Sequence, residues 1–405
     1  MTEAERRRTV TVFDTTLRDG EQAPGASLGQ AAKVRAAHAI ADLGVDVLEA
    51  GFPAASAGEA EAVARIAREV RGPTIAALAR AGQADVETAA RSIGGAGRSR
   101  IHVFIATSDI HLEKKLHMTR SECLARTASA VERATAMADE VEFSAEDATR
   151  SDVAFLVSVY QAAVASGATT VNIPDTVGYA QPQEFAALVH AIRAALPDTR
   201  VKISVHCHND LGLAVANTLA AVGAGADQVH VTVNGLGERG GNASLEETVM
   251  ALRCRADWYR VDVGVRQERL VVASRIVSEL TGIPVQPNKA IVGANAFAHA
   301  SGIHQDGVLK DPRTYEIMSP QSVGWEARRI VVSKLSGRRG LAARLAELGV
   351  PLEGEALDRA YALAMRRGDD VHELDEHDLI AIAAHARRPI ESSVDSSTPV
   401  PAAGD

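Results

Sequence analysis

Residues 202–210 read KISVHCHND, an Ile- and Val-rich start that ends in two histidines, an Asn and an Asp. The same grammar recurs at 9–19 (TVTVFDTTLRD), 45–53 (VDVLEAGFP), 74–80 (TIAALAR) and 100–108 (RIHVFIATS). It recurs again at 140–147 (EVEFSAED), 169–176 (TTVNIPDT) and 228–238 (QVHVTVNGLGE). Helical stretches rich in Ala, Leu, Arg and Glu separate these runs. Strand and helix therefore alternate, which builds βαβ units on a parallel sheet. Eight such units in about 250 residues fit a closed (β/α)8 TIM barrel. No GxGxxG opens a helix after the first run, which argues against a dinucleotide-binding sheet.

In run after run the apolar part comes first and the ionisable residues gather at the C-terminal end: Arg18 and Asp19, Glu49, Glu146 and Asp147, Asp175, His208 and Asp210, Glu238 and Arg239. That end of a TIM barrel carries the active site. Exposed loops would account for one or two such clusters, but not for this many.

Beyond the eighth run the pattern changes. Residues 264–282 read as a helix ending at Gly282, 283–325 as a loop-rich stretch, and 337–388 as two or three charged helices. The predicted division is a catalytic barrel over 1–265, a linker and mostly helical C-terminal subdomain over 266–388, and a disordered Ser/Pro-rich tail over 389–405.

The whole chain has 405 residues, 46% of them hydrophobic, with a formal net charge of −9. An acidic chain without long Lys/Arg runs gives no support for nucleic acid or an anionic membrane as partner. No apolar run is long enough to span a bilayer, and the first residues, MTEAERRRTV, hold no signal-peptide core. The 3 cysteines, Cys123, Cys207 and Cys254, are far apart and fit a reducing cytoplasm.

His206 and His208, two apart on a strand, point to one face and form a bidentate pair for a metal. Alone, the pair also reads as two polar strand-end residues bonded to loops. Asp19 ends the first run, and only the eighth strand of a closed barrel separates it from the seventh. The three side chains are therefore predicted to converge, with Asn242 in the loop after the eighth run close by. This set suits Mg²⁺, Mn²⁺ or Zn²⁺. The alternative for Asp19 is a helix N-cap. Arg18 reads as an oxyanion partner beside the metal, or as an ion pair with Glu49 or Glu146. Cys207, between the histidines, reads as a core thiol. The loop from Gly235 to Asn242, GLGERGGN, lets a ligand approach the backbone and suits an anionic, nucleotide-like cofactor. His304 and Tyr315 stand in a loop outside the barrel.

Six segments then resemble one family: DTTLRDGEQAPG (14–25), EFSAEDATR (142–150), NIPDTVGY (172–179), HCHNDLGLAVANTLAAVGAGA (206–226), NGLGERGGN (234–242) and SGIHQDGVLKDPRTYEIMSP (301–320). This is the 2-isopropylmalate synthase/homocitrate synthase family, and the resemblance covers roughly residues 9–340. It implies a metal-dependent acyltransferase that condenses acetyl-CoA with a 2-oxo acid to give a 2-alkylmalate. Asp19, His206 and His208 would hold the metal, with Asn242 at or near it. Arg18, Glu146, His304 and Tyr315 would be catalytic, His304 as the base. Gln22, Glu49, His102, Ser144 and Thr176 would line the oxo-acid site. Gly237, Glu238, Arg239 and Gly240 would lie where acetyl-CoA binds.

The resemblance also implies a homodimer in which His304 and Tyr315 reach the partner's site. Related lyases carry a Cys in the loop after the eighth strand, and GERGGN has none, which points to a synthase. Homocitrate synthases resemble one another in an Arg where this chain has Glu142. An acid there would repel a dicarboxylic substrate, so 2-oxoisovalerate is expected. Regulated members continue into a leucine-binding domain, so feedback through it is not expected. The family's KHSGRHA reads KLSGRRG at 334–340 here, which suits a paralogue with another oxo acid. The other readings are a homocitrate- or citramalate-type synthase and a non-catalytic relative.

Overall fold

The computed structural model describes residues 7–388, so the predicted tail over 389–405 lies outside the described residues. Eight parallel strands close into a barrel. They are β1 (Thr11–Asp14), β2 (Val47–Glu49), β3 (Thr74–Arg80), β4 (Ser99–Ala106), β5 (Glu140–Glu146), β6 (Thr170–Asp175), β7 (Lys202–Cys207) and β8 (Gln228–Val231). Closure is the pairing of β1 with β8, Val12 opposite Val229 and Asp14 opposite Val231. Continuous apolar runs are what such strands need, because helices cover their outer faces and the barrel interior their inner ones.

The outer helices are α1 (Gln30–Asp42), α2 (Ala57–Glu69), α3 (Gln83–Ile93), α4 (Arg120–Thr135), α5 (Val153–Ala165), α6 (Pro182–Ala195), α7 (Ala214–Gly223), α8 (Leu245–Cys254) and α9 (Leu270–Thr281). Several start on side-chain caps at the mouth end: Ser56 for α2, Thr119 with Glu122 for α4, Asp152 for α5 and Ser244 for α8. Such caps satisfy N–H groups that the first turn leaves open. The α9 helix closes on Gly282 at φ 70°.

The strands are shorter than the sequence runs at their C-terminal ends. Asp19 does not end a strand: β1 stops at Asp14, and the chain turns back through Arg18 N–H and Gly20 N–H, both donated to the Thr15 carbonyl. Polar side chains bond their own backbone there, as Asp14 does with Thr16, and so compete with the ladder.

Two compact units emerge among the described residues: 7–296 with 320–326, and 297–319 with 327–388. In the second, α10 (Gly302–Lys310) occupies part of what reads as loop in the sequence, and His304 lies on it. The buried Gln305 side chain donates to the His299 and Val331 carbonyls, anchoring that short helix where no apolar stripe announces it. α11 (Arg338–Glu347), α12 (Gly354–Asp370) and α13 (Glu376–Ala386) pack round Leu341, Leu345, Leu357, Ala364 and Leu379.

Asp14 is fully buried, and burial, outweighing the Thr16 hydrogen bonds that act to lower it, pushes its carboxyl up to about 7. The folded state therefore keeps a proton that the unfolded chain releases near about 3.9. A raised folded value means a contribution that is full below the unfolded value and lost as pH rises through the folded one. Asp14→Asn is neutral throughout, so its stability relative to wild type is expected to climb between roughly pH 4.5 and 7.5. Denaturant midpoints at several pH values measure this, and a constant difference across the range contradicts it.

Candidate active site

A cavity of about 300 Å³ opens at the C-terminal mouth of the barrel. Arg18, Asp19, Gln22, His102, Ser144, Glu146, Thr176, His206, His208, Glu238 and Arg239 all line it. Asp19 Oδ2 lies 3.6 Å from His206 Nε2 and 3.7 Å from His208 Nε2. The two Nε2 atoms are 3.2 Å apart. Among the described residues this is the one cluster of His, Cys and acidic side chains with ligand spacing. Two nitrogens bound at about 2.1 Å and at right angles sit about 3 Å apart, so the pair needs little movement to share a cation.

Burial, with His208 adding to it, drives His206 well below the ordinary imidazole range. Burial also lowers His208, more than Asp19 raises it. Neutral rings offer the lone pairs a metal needs. Their Nδ1 atoms have no hydrogen-bond partner among the described residues, so packing orients the rings, His206 edge-on to both His208 and His230.

Burial opposes ionisation of Asp19, but the Arg18 guanidinium, together with His206, His208 and the Asn242 hydrogen bond, outweighs it and holds the carboxyl well below the usual range. Asp19 begins the short 3-10 turn Gly20–Gln22 without capping it through its side chain, which leaves the carboxylate facing the histidines. Asn242 turns its amide nitrogen to Asp19 Oδ1 at 2.6 Å and leaves its oxygen buried without a partner. Asn242 thus sits against the donor set and grips Asp19 through its nitrogen. Gly237 packs so close that a Cβ there would overlap the Asn242 amide and crowd Asp19 Oδ1.

The ion-pair reading of Arg18 holds with Glu49, and a second contact joins it to Asp19. Its Nη1 lies 2.6 Å from Asp19 and its Nε 2.7 Å from Glu49. Glu146 pairs instead with Lys115 at 2.6 Å. Glu49 also accepts from Thr15 Oγ1 and meets His102 Nδ1 at 2.6 Å, while His102 Nε2 meets Ser144 Oγ at 2.7 Å. Glu49 stays ionised because Arg18, then His102, outweigh its burial. A continuous bonded chain therefore runs from Ser144 through His102, Glu49 and Arg18 to Asp19. Thr176 accepts from the Asp147 N–H, and Arg239 holds Asp210 at 2.7 Å. Cys207 is buried and desolvation raises its thiol, as expected of a core residue.

His304 and Tyr315 belong to the second unit, where their rings lie 4.1 Å apart. Sequence reasoning missed the apolar wall of the cavity, Phe52, Leu78, Phe104 and Pro174, and the polar Asn172 and Lys115. It also misjudged Glu142. That carboxylate is fully buried, bonded to Arg100 Nη1 at 2.9 Å and His230 Nε2 at 2.7 Å, and does not line the cavity. Its charge is answered by Arg100, so the repulsion argument against a dicarboxylic substrate loses its premise.

Residues 9–277 match the HMGL-like family, and 291–371 match the homocitrate synthase post-HMGL domain-like family. A 2-isopropylmalate synthase of Pyrococcus furiosus is 55% identical over 93% of this chain and 75% of its own length. One of Heliobacterium modesticaldum is 54% identical over 92% of this chain and 73% of its own. Among solved structures, an HMG-CoA lyase of Bacillus subtilis superposes with a TM-score of 0.59 at 22% identity, covering 69% of this chain and 95% of that one, which supports the barrel fold. The barrel, its donor cluster and these matches agree, and the chain belongs to the HMGL-like family.

Proposed function

We propose that this chain is a divalent-metal-dependent acyltransferase that condenses acetyl-CoA with 2-oxoisovalerate to give 2-isopropylmalate and CoA. The observation that carries it is the convergence of Asp19, His206 and His208 in a cavity of substrate size. A cation held there would polarise the ketone and orient the oxo acid. Mg²⁺, Mn²⁺ and Zn²⁺ all suit this donor set.

Arg18, fixed by Glu49, is aimed to stabilise negative charge growing on the carbonyl oxygen. His102 and Ser144 hold the far side of the oxo acid, with Gln22 and Thr176 at the rim. Phe52, Leu78, Phe104 and Pro174 give its branched alkyl group an apolar wall. The three Lys/Arg residues of the lining are already paired: Arg18 with Asp19 and Glu49, Lys115 with Glu146, Arg239 with Asp210. A second substrate carboxylate would find no free guanidinium or ammonium there, which supports a monocarboxylic acid.

The thioester methyl is a weak carbon acid, so a positioned base must take its proton. We assign that role to His304, assisted by Tyr315 and Glu146, in a homodimer. The enolate carbon attacks the ketone carbon, whose C=O π pair moves onto oxygen and takes up a proton to give the hydroxyl; water then adds to the thioester carbonyl and the C–S bond breaks, releasing the CoA thiol and a carboxylate. The backbone of Gly237–Gly240 is the proposed contact for acetyl-CoA. In this reading 1–265 is the catalytic barrel and 266–388 the linker and helical subdomain.

The test is CoA thiol release from acetyl-CoA with 2-oxoisovalerate, pyruvate or 2-oxoglutarate, with and without EDTA. Release with 2-oxoisovalerate, abolished by EDTA and restored by Mn²⁺, is expected. Release only with 2-oxoglutarate or pyruvate replaces the substrate, and none with any acid favours a binding protein.

A further inference from the structure

The mouth of the barrel contains a buried ammonium that the chemistry above does not use. Lys33, on α1, is 1% exposed, and a lysine is seldom buried so fully without partners. Its Nζ lies 2.5 Å from Glu21 Oε2 and 2.5 Å from Glu59 Oε1. Each glutamate in turn ties down a loop. Glu21 Oε1 accepts from the Leu28 N–H, closing the β1–α1 loop on itself. Glu59 Oε1 accepts from the Phe52 N–H, fixing the β2–α2 loop. Gly51 permits that contact, since a Cβ there would overlap Glu59 Oε1 and stand 2.9 Å from Lys33 Nζ.

These two loops shape the cavity. Glu21 stands between Asp19 and Gln22, and Phe52 is part of the apolar wall. We propose that Lys33 is a positioning residue: by holding Glu21 and Glu59 together, it locks the loop bearing Asp19 and Gln22 against the loop bearing Phe52. It thereby sets both the metal affinity and the fit of the 2-oxo acid. The inference rests on the reading of the mouth as a metal-dependent oxo-acid site. Asp19 is held directly by Arg18 and Asn242, and the Lys33 clamp holds the loop from which it projects.

Lys33→Met removes the ammonium and keeps most of the stem. Mn²⁺ binding to the full chain, read from the free-ion paramagnetic resonance signal, is expected to weaken about tenfold or more, as for other supports of a metal ligand. The KM for 2-oxoisovalerate should rise with it, while the KM for acetyl-CoA stays within about twofold, and Lys33→Arg should recover part of the loss. A variant that melts earlier yet binds Mn²⁺ and 2-oxoisovalerate like wild type at 25 °C overturns the clamp. If Lys33→Met does not fold, Glu59→Gln decides the matter. It keeps an oxygen for the Phe52 N–H but weakens the tie to Lys33, and an unchanged Mn²⁺ affinity and KM there overturn the proposal. Wild-type protein that binds no Mn²⁺ removes the metal reading and the clamp with it, whereas a binding wild type with unaltered variants removes the clamp alone.

Discussion

Asp19→Asn is expected to lower kcat/KM by at least about a thousandfold, since the polarising cation it removes is asked to supply several kcal/mol. The substitution changes almost no volume. One amide oxygen can still accept from Asn242 Nδ2, now 2.6 Å from Asp19 Oδ1. The amide nitrogen must then stand where Oδ2 was, facing Arg18 Nη1 at 2.6 Å and the two imidazole Nε2 atoms. A donor would meet a donor at Arg18, and an amide nitrogen has no lone pair to give a cation. The flipped amide is no better, because it sets its nitrogen against Asn242.

The fold should survive, because Arg18 keeps Glu49 as its partner at 2.7 Å. The separation of effects is therefore measurable. Wild type should melt higher as Mn²⁺ is added, by the linkage that gives about 2.7 kcal/mol at a hundred times Kd. Asp19→Asn should melt at one temperature with or without the ion. If the variant still gains stability from Mn²⁺ and turns over within tenfold of wild type, the donor assignment is wrong.

The barrel and the meeting of Asp19 with His206 and His208 are legible in the sequence for a physical reason. Parallel strands covered on both faces are written as apolar runs, and barrel closure then fixes which strand ends are neighbours. His206 lies on β7, and His208, one residue past its end in an isolated bridge with Asn242, continues the same extended alternation, so the two share a face. The wall of the cavity is not legible. Leu78 and Phe104 sit in strands that are apolar on both sides, so nothing in the residue type says which side faces the mouth. Glu146 looks like a free acid until the loop after β4 returns Lys115 to it. Glu142 misleads for the same reason, because the groups that answer its charge, Arg100, Gln228 and His230, are 42 and more residues away in sequence. Helix α10 is hidden because a buried glutamine, rather than an apolar stripe, anchors it.

Arg100→Met is expected to destabilise the barrel by about 3–5 kcal/mol, the cost of leaving a buried charge without its partner. Arg100 is 2% exposed, and its guanidinium is fully engaged. Nε donates to Glu140 at 2.8 Å, Nη2 also reaches Glu140, and Nη1 donates to Glu142 at 2.9 Å and to Gln228 Oε1 at 2.7 Å. Burial works against the charge on Glu142, and the contacts with His230 and Arg100 together keep it well below the ordinary range. Methionine fills the stem's volume and leaves that carboxylate with only Gln228 and His230. The loss should appear as a thermal midpoint lowered by roughly 5–8 °C at a fixed scan rate. Arg100→Met with Glu142→Gln should recover much of it, since the second change removes the unanswered charge; a double variant no more stable than the single would show that packing, not charge, is what Arg100 supplies. The same pair separates fold from specificity. Glu142 faces Arg100, Gln228 and His230 rather than the cavity, so neutralising it should leave the preference among 2-oxo acids unchanged even where it rescues the barrel. A shift toward 2-oxoglutarate in the double variant would mean that the carboxylate acts on the substrate after all, through a field its three partners do not cancel.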